Sequence, residues 1–332
     1  MCLDNKQQMP RPVRYPYLQQ VPFSEDQSHI QQSTAVIFNI QRFSVFDGPG
    51  VRTAVFFKGC NLRCRWCHNP ESYEKRPQLA FDKQKCIGCG SCVENCPGGC
   101  LLPDPGRGLV YDRKNCRDCG SCTRGCYARA LSRIGYEITA EELMEELLEE
   151  LPYYRESGGG VTFSGGECML QLDFLEEVLL RLKDKGIHTA VDTAGNVPFE
   201  DFERILPYTD LFLYDMKAFH EEVHRKLTGV SNERIKDNLV RLAQAGKDIR
   251  IRIPVVEELN ASELPFMKRF LWDNGIRDIE LLAYHRMGVG KGDLLLEPIV
   301  QESFRELGAE EMEEYNSSSD RAAHLLRGEE RL

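Results

Sequence analysis

Cysteine is the residue type in this chain most suited to chemistry. There are 14 cysteines among 332 residues, and eleven of them fall into three tight clusters. The first cluster, Cys60, Cys64 and Cys67, lies in the segment GCNLRCRWCHNPES. Three thiolates on one short loop can hold three corners of a [4Fe–4S] cube, and because four cysteines are the usual complement, one iron stays open. An open coordination position is typical of catalytic metal sites, so this loop predicts small-molecule binding at that iron.

A structural zinc ion is the alternative for this loop, with His68 or a distant residue as the fourth ligand. Zinc sites usually pair cysteines twice over, as C-x2-4-C, and a single triplet of cysteines fits that pattern poorly. The spacing therefore favours an iron–sulfur cluster.

Eight further cysteines form two runs with the same spacing, C-x2-C-x2-C-x3-C. In bacterial ferredoxins the fourth cysteine of each run binds the other run's cluster. We therefore expect one [4Fe–4S] cluster on Cys86, Cys89, Cys92 and Cys126, and another on Cys116, Cys119, Cys122 and Cys96. A zinc ribbon needs only two cysteine pairs and leaves four thiols unexplained. The remaining cysteines, Cys2, Cys100 and Cys168, are interpreted as ordinary thiols.

Charge and hydropathy exclude several classes of function. The chain has 42 basic and 52 acidic residues, a net charge of −10, which argues against a broad nucleic-acid or anionic-membrane surface. No apolar stretch approaches the roughly 20 residues of a membrane span. The N-terminal sequence has no apolar core of the kind a secretory signal needs. We expect a cytoplasmic protein without a nucleic-acid or membrane partner, whose thiols bind metal rather than form disulfides.

The chain divides into segments of different composition. Residues 1–34 are polar and predict a tail. Residues 35–79 begin the main domain, residues 80–134 are a small cysteine-rich insert, and residues 135–332 complete the main domain. An insert this short cannot bury enough apolar surface to fold alone, so we expect its core to be inorganic.

The main domain alternates strands with helices. Apolar runs predict six strands, at residues 51–59, 161–167, 187–195, 210–217, 248–256 and 276–284. A capping box, Thr139 with Glu142, predicts the start of a helix that continues through Tyr154. Further helices are expected at residues 172–186, 198–208, 232–246 and 262–274. This alternation predicts a parallel sheet covered by helices, with functional loops at the strand C-terminal ends. Six units are too few for an eight-stranded barrel, so we expect a partial barrel.

Several motifs in this order resemble one known family. The cysteine triplet with Trp66 before its last cysteine resembles the signature of the radical S-adenosylmethionine superfamily. The motifs DGPGVRT, WCHNPES and SGGGVTFSGGE narrow the resemblance to the glycyl-radical-enzyme activating enzymes, over roughly residues 36–290. The resemblance implies an α/β fold, a partial (βα)6 TIM-like barrel, with an inserted ferredoxin-like module carrying two [4Fe–4S] clusters.

The resemblance also implies a cofactor site. Three [4Fe–4S] clusters and S-adenosylmethionine are expected, with a monovalent cation beside Asp192 and Asp215 as a further option. No side chain is expected to act as a catalytic acid or base. The residues expected to bind the cofactor are Trp66, Cys67, His68, Gly166, Asp215, Met216, Lys217 and His285.

The implied reaction is reductive cleavage of S-adenosylmethionine. The resulting 5′-deoxyadenosyl radical removes hydrogen from a glycine of a partner glycyl radical enzyme, whose glycine loop is expected to enter at DGPG because that backbone is unhindered. An electron donor such as flavodoxin or ferredoxin is implied as a second partner. Two alternatives remain: a radical enzyme acting on a small molecule, which is not expected to carry these motifs together, and a plain electron carrier, which leaves the triplet unexplained.

Overall fold

The computed structural model describes the backbone of residues 33–325 and the side chains of residues 33–317. The predicted tail therefore lies outside the described residues except for its last two positions, and Thr34 already begins the first strand. Cys2 lies outside the described residues as well. None of the helices within residues 33–325 is long and apolar enough to cross a membrane.

Twelve strands and eleven helices are present in the described residues. The strands are β1 (Thr34–Ser44), β2 (Arg52–Phe57), β3 (Gln78–Phe81), β4 (Leu101–Asp104), β5 (Gly108–Tyr111), β6 (Leu131–Ile134), β7 (Tyr136–Thr139), β8 (Gly160–Gly165), β9 (His188–Thr193), β10 (Leu211–Asp215), β11 (Asp248–Val255) and β12 (Ile279–Ala283). The helices are α1 (Ser91–Glu94), α2 (Ser121–Arg124), α3 (Ala140–Leu148), α4 (Leu151–Ser157), α5 (Leu172–Asp184), α6 (Phe199–Ile205), α7 (Glu221–Thr228), α8 (Glu233–Gln244), α9 (Glu257–Asn260), α10 (Leu264–Asp273) and α11 (Ala309–Leu325).

Eight strands form one sheet in the order β12-β11-β10-β9-β8-β2-β1-β7. The six predicted strands, β2 and β8 to β12, are all present and pair in parallel. Two antiparallel strands, β1 and β7, extend the sheet beyond β2 and were not predicted. The mostly parallel sheet is confirmed, and its strand C-terminal ends meet at one edge, where functional residues are expected.

The capping box at Thr139 is present. The Thr139 side chain accepts a hydrogen bond from the backbone N–H of Glu142, and the Glu142 side chain accepts one from the backbone N–H of Thr139. The prediction of one helix through Tyr154 was wrong, because α3 ends at Leu148 and α4 begins at Leu151. Pro152 explains the break, since it has no N–H to donate and its ring crowds the preceding turn. Helix α7 was also missed.

Aromatic side chains hold the sheet against its helices. Phe57 on β2 packs edge-on against Phe163 on β8 and Phe174 on α5, with ring centroids 6.1 and 6.0 Å apart. All three rings are buried. Such pairs add about 0.5–1.5 kcal/mol beyond the area they bury, so the strands that lead into the cysteine loop are firmly positioned.

Residues 78–134 form a small unit whose strands do not belong to the eight-stranded sheet. Its strands make two antiparallel pairs, β3 with β6 and β4 with β5, beside the single-turn helices α1 and α2. Its buried core contains only seven residues: Leu79, Phe81, Leu101, Leu109, Cys122, Ala130 and Leu131. So few apolar side chains contribute little stability, and a unit of this size usually needs a metal or cross-link.

Candidate metal and cofactor site

A cavity of about 530 Å³ opens at the C-terminal ends of the parallel strands, within the usual volume range of small-molecule sites. The structure brings all but one of the predicted cofactor residues to its wall. Those that line it are Cys60, Cys64, Trp66, Cys67, His68, Gly166, Asp215, Lys217 and His285.

The three cysteines of the loop are partly buried and line the cavity. Burial raises the pKa of Cys60 and of Cys64 to about 12. Nearby Lys217 acts in the opposite direction on Cys64, because its positive charge favours the thiolate. Metal binding at this loop must therefore release protons, and Lys217 assists that release electrostatically.

Zinc and iron–sulfur clusters require different arrangements of their ligands. Within residues 33–317, no group of three or more Cys, His, Asp or Glu side chains is arranged to hold one metal ion. A zinc site needs its ligands about 2.0–2.3 Å from one point. A cubane cluster binds each thiolate at a different iron and so needs no such convergence. All thirteen cysteines in the described part of the chain are free thiols.

Backbone hydrogen bonds fix the cysteine loop from several sides. Gly59 N donates to Ser72 O at 2.7 Å, and Arg63 N donates to Thr228 O at 2.8 Å. The hydroxyl of Tyr73 donates to the carbonyl oxygen of Cys64 at 3.0 Å. The loop therefore keeps its shape through contacts with the following segment and with α7.

Sequence reasoning missed the residues that hold the loop from the C-terminal side. Gln301 Nε2 donates to the carbonyl oxygen of Cys67 at 3.0 Å. Lys291 Nζ donates to Asn69 Oδ1 and to Glu71 Oε1, both at 3.1 Å. No motif or periodicity marks Lys291 or Gln301, so nothing in the sequence pointed to them.

One wall of the cavity is aromatic. The imidazole rings of His68 and His285 stack with 3.8 Å between their centroids, and Trp66 is buried beside Tyr284 in a small apolar cluster. Burial, followed by the proximity of His285, lowers the pKa of His68 to about 4. His68 Nε2 is buried without a hydrogen-bond partner. A flat aromatic group with polar edge atoms suits such a wall.

Charged side chains form another part of the cavity wall and are paired. Lys217 Nζ lies 2.8 Å from Asp215 Oδ2, and Arg252 Nη1 lies 3.3 Å from Asp192 Oδ2. Each carboxylate expected to bind a monovalent cation thus already has a cationic partner, which weighs against that ion. Arg252 Nε is buried without a partner. The cavity therefore offers both signs of charge and spare donors to a zwitterionic ligand.

Met216 does not line the cavity, and its expected contact with the cofactor stays a prediction. Its side chain is buried in the main hydrophobic core. Successive side chains along extended backbone point to opposite faces. Because Asp215 and Lys217 face the cavity, Met216 between them faces away.

The Gly-Gly-Glu motif after β8 joins two loops. A Cβ on Gly166 would lie 2.2 Å from the carbonyl oxygen of Gly59, so only glycine permits this approach to the cysteine loop. Glu167 is fully buried and accepts hydrogen bonds from Thr193 Oγ1 at 2.9 Å and Ala194 N at 3.0 Å. Its side chain braces the loop after β9 and does not line the cavity.

The DGPG loop lies at the cavity mouth. Asp47 Oδ1 lies 3.7 Å from Arg252 Nη1, and Phe46, which is 81% exposed, forms part of the lining. The expectation that the loop's backbone is unhindered was wrong for Gly50. A Cβ there would lie 2.5 Å from Gly159 N, so Gly50 serves close packing between two motifs.

The small unit brings one predicted ligand set together. Cys96, Cys116, Cys119 and Cys122 line a single narrow cavity, and Cys92 of the other set interacts electrostatically with Cys86 and Cys126. Gln78 lines the same cavity and accepts a hydrogen bond of 2.9 Å from buried Lys58 Nζ. Lys58 also donates to Glu71 O at 2.6 Å, which links this unit to the segment after the cysteine loop.

Comparisons with known proteins agree with these features. The Radical SAM superfamily model matches residues 117–271, a 4Fe-4S dicluster domain matches residues 72–130, and a 4Fe-4S single cluster domain matches residues 46–94. The chain is 41% identical to the choline trimethylamine-lyase activating enzyme of Oleidesulfovibrio alaskensis, over 77% of this chain and 86% of that protein. It is 41% identical to the trans-4-hydroxy-L-proline dehydratase activating enzyme of Clostridioides difficile, over 84% of this chain and 94% of that protein. It is 39% identical to the (2S)-3-sulfopropanediol dehydratase activating enzyme of Klebsiella oxytoca, over 79% and 85%.

Proposed function

The chain belongs to the activating enzymes of glycyl radical enzymes within the radical S-adenosylmethionine superfamily, and from this membership we propose how its residues perform the activation. One observation carries the proposal. The three thiols of the cysteine loop share a single cavity with Lys217, His285 and the Gly-Gly-Glu loop, so an iron–sulfur cluster and S-adenosylmethionine fit side by side.

Cys60, Cys64 and Cys67 would hold the cluster whose fourth iron binds the cofactor. When bound, the cluster supplies one electron that cleaves S-adenosylmethionine and yields a 5′-deoxyadenosyl radical able to take hydrogen from a glycine of the partner. Lys217 and Arg252 would meet the carboxylate of the cofactor, and their positions on the cavity wall support this. Trp66, His68 and His285 provide the aromatic wall that suits its adenine.

The insert, residues 80–134, would be a ferredoxin-like module with two [4Fe–4S] clusters, giving three clusters in the whole protein. The matching dicluster model and the cavity shared by Cys96, Cys116, Cys119 and Cys122 support this assignment. We propose that the module relays electrons from a flavodoxin or ferredoxin toward the cysteine loop. The Lys58–Gln78 hydrogen bond supports a fixed spacing between the two regions.

The remaining segments, residues 35–79 and 135–332, would form the partial (βα)6 barrel. Such a barrel requires six parallel strands in unbroken spatial order, and β2 followed by β8 to β12 provides them. The glycine loop of the partner would enter beside Phe46, because this exposed apolar side chain marks the cavity mouth. Phe43 and Val45 beside it are exposed as well, and aromatic side chains are enriched in the cores of protein–protein interfaces.

Direct activation of a partner tests the function. The anaerobically reconstituted protein is incubated with S-adenosylmethionine, dithionite and each of three purified enzymes: choline trimethylamine-lyase, trans-4-hydroxy-L-proline dehydratase and (2S)-3-sulfopropanediol dehydratase. We expect a stable glycyl radical, seen by electron paramagnetic resonance, on at least one of these enzymes or on a glycyl radical enzyme of the same chemical class. The matched control is Cys64→Ala, which should give no radical.

Cleavage of S-adenosylmethionine without hydrogen transfer to any glycyl radical enzyme, together with turnover of a small molecule, would contradict the proposal. It would favour the alternative radical enzyme instead. Radical formation that persists in Cys64→Ala would show that the cysteine loop is not the site.

A further inference from the structure

The module contains one cysteine more than its two proposed clusters need. The two cysteine runs are offset by 30 residues, so Cys86 corresponds to Cys116 and Cys96 to Cys126. By the same offset Cys100 corresponds to Ala130. The extra thiol therefore occurs in only one half of the module.

The backbone confirms this correspondence position by position. Gly90 and Gly120, which precede the two short helices, have φ angles of 75° and 69°. Gly99 and Arg129 also share the left-handed conformation, with φ angles of 59° and 50°. Arg129 adopts this conformation although it is not glycine, so the turn that precedes position 100 or 130 is the same in both halves.

The extra thiol lies inside the cavity of the second predicted ligand set. Cys100 lines that cavity together with Cys96 and Cys116, and it is 2% exposed. Its backbone N donates to Cys96 Sγ at 3.3 Å. Five sulfur atoms thus line a site where a [4Fe–4S] cluster takes four.

We infer that Cys100 is a reserve iron ligand, which takes the place of Cys96 on this cluster when Cys96 is lost. On such an exchange the Cys100 thiol releases its proton and binds iron as a thiolate. Where Cys96 is still present, its sulfur leaves the iron and takes up a proton; where Cys96 has been replaced, the proton goes to solvent. The charge and oxidation level of the cluster do not change. The other cluster has no such reserve, because Ala130 stands at the corresponding position.

Iron content tests the inference independently of activity. Wild type, Cys96→Ala, Cys96→Ala/Cys100→Ala and Cys126→Ala are purified anaerobically as holoenzymes, and iron and sulfide per chain are measured. We expect about twelve irons in wild type and in Cys96→Ala. The double variant and Cys126→Ala should each lose about four irons.

A variant designed to restore iron binding distinguishes loss of an iron ligand from misfolding. Cys126→Ala/Ala130→Cys places a thiol at the corresponding position of the other half, and it should recover the four irons that Cys126→Ala loses. Loss of four irons by Cys96→Ala itself, a [3Fe–4S] signal in that variant, or its failure to fold would each overturn the inference. The inference depends on the proposed clusters, and wild type with fewer than about twelve irons would contradict those clusters first.

Discussion

Lys291 Nζ donates a hydrogen bond of 3.0 Å to the carbonyl oxygen of His68, although 223 residues separate them in the chain. The same ammonium also donates to Asn69 and Glu71, so one side chain holds three residues of the segment after the last cysteine of the loop. The segment after β12 thus acts as the outer support of the cluster loop.

Lys291→Met is expected to loosen that support. Because Lys291 is partly exposed, loss of its hydrogen bonds should destabilise the loop by only about 1 kcal/mol. That energy corresponds to about a fivefold faster loss of iron to a chelator. The exposed Lys185→Met is the matched control. Equal rates of iron loss in the two variants would show that Lys291 does not support the loop.

His68→Ala should weaken binding of S-adenosylmethionine. The stack with His285 aligns the aromatic wall, and aromatic pairs contribute about 0.5–1.5 kcal/mol, so the Kd should rise about fivefold. Equilibrium dialysis of the reconstituted protein measures it. His220→Ala serves as a control, because His220 is half-exposed and pairs with Glu263 away from the cavity. An unchanged Kd for His68→Ala would show that the aromatic wall does not contribute to binding of S-adenosylmethionine.

Glu167 should make stability depend on pH. Burial raises the pKa of the Glu167 carboxyl to about 7. Between the ordinary pKa of a glutamate and pH 7, the folded state therefore binds more protons than the unfolded state. The carboxyl therefore favours folding at low pH, and this contribution, up to about 3 kcal/mol, is lost as pH rises through 7. Comparison of melting temperatures from pH 5 to 8 should show wild type losing stability relative to Glu167→Gln. The exposed Glu156→Gln should show the same pH dependence of the melting temperature as wild type. If the difference in melting temperature between Glu167→Gln and wild type stays constant with pH, the raised pKa of Glu167 is contradicted.

Cys89→Ala separates electron relay from structural support. If the module relays electrons, this variant should still cleave S-adenosylmethionine with a strong artificial reductant but lose most cleavage when a flavodoxin or ferredoxin is the donor. Product formation is measured as 5′-deoxyadenosine with each donor. A variant that fails to assemble the cluster on the cysteine loop would instead assign the module a structural role.

Local sequence patterns predicted the parts of the site that depend on local structure. The spacing of Cys60, Cys64 and Cys67 indicated a shared site because the three residues lie on one short loop. Asp215 and His285 both line the cavity, because parallel strands end at a common edge, which the alternation of strands and helices already implies.

Features set by tertiary packing were not predictable in this way. Lys291 and Gln301 reach the loop through long-range contacts that leave no periodic signal. Met216 follows the last residue of β10. Whether its side chain faces the cavity depends on whether the alternation of side chains continues past the end of the strand. The role of Gly50 depends on its contact with Gly159, more than 100 residues away, which no local pattern encodes.

The central claim is that the cluster on Cys60, Cys64 and Cys67 has an open iron that binds S-adenosylmethionine. Electron paramagnetic resonance of the dithionite-reduced protein, recorded before and after addition of S-adenosylmethionine, tests this most directly. We expect a changed cluster signal in wild type and no change in Cys64→Ala. An unchanged wild-type spectrum, or stoichiometric zinc in that loop after anaerobic purification, would contradict it.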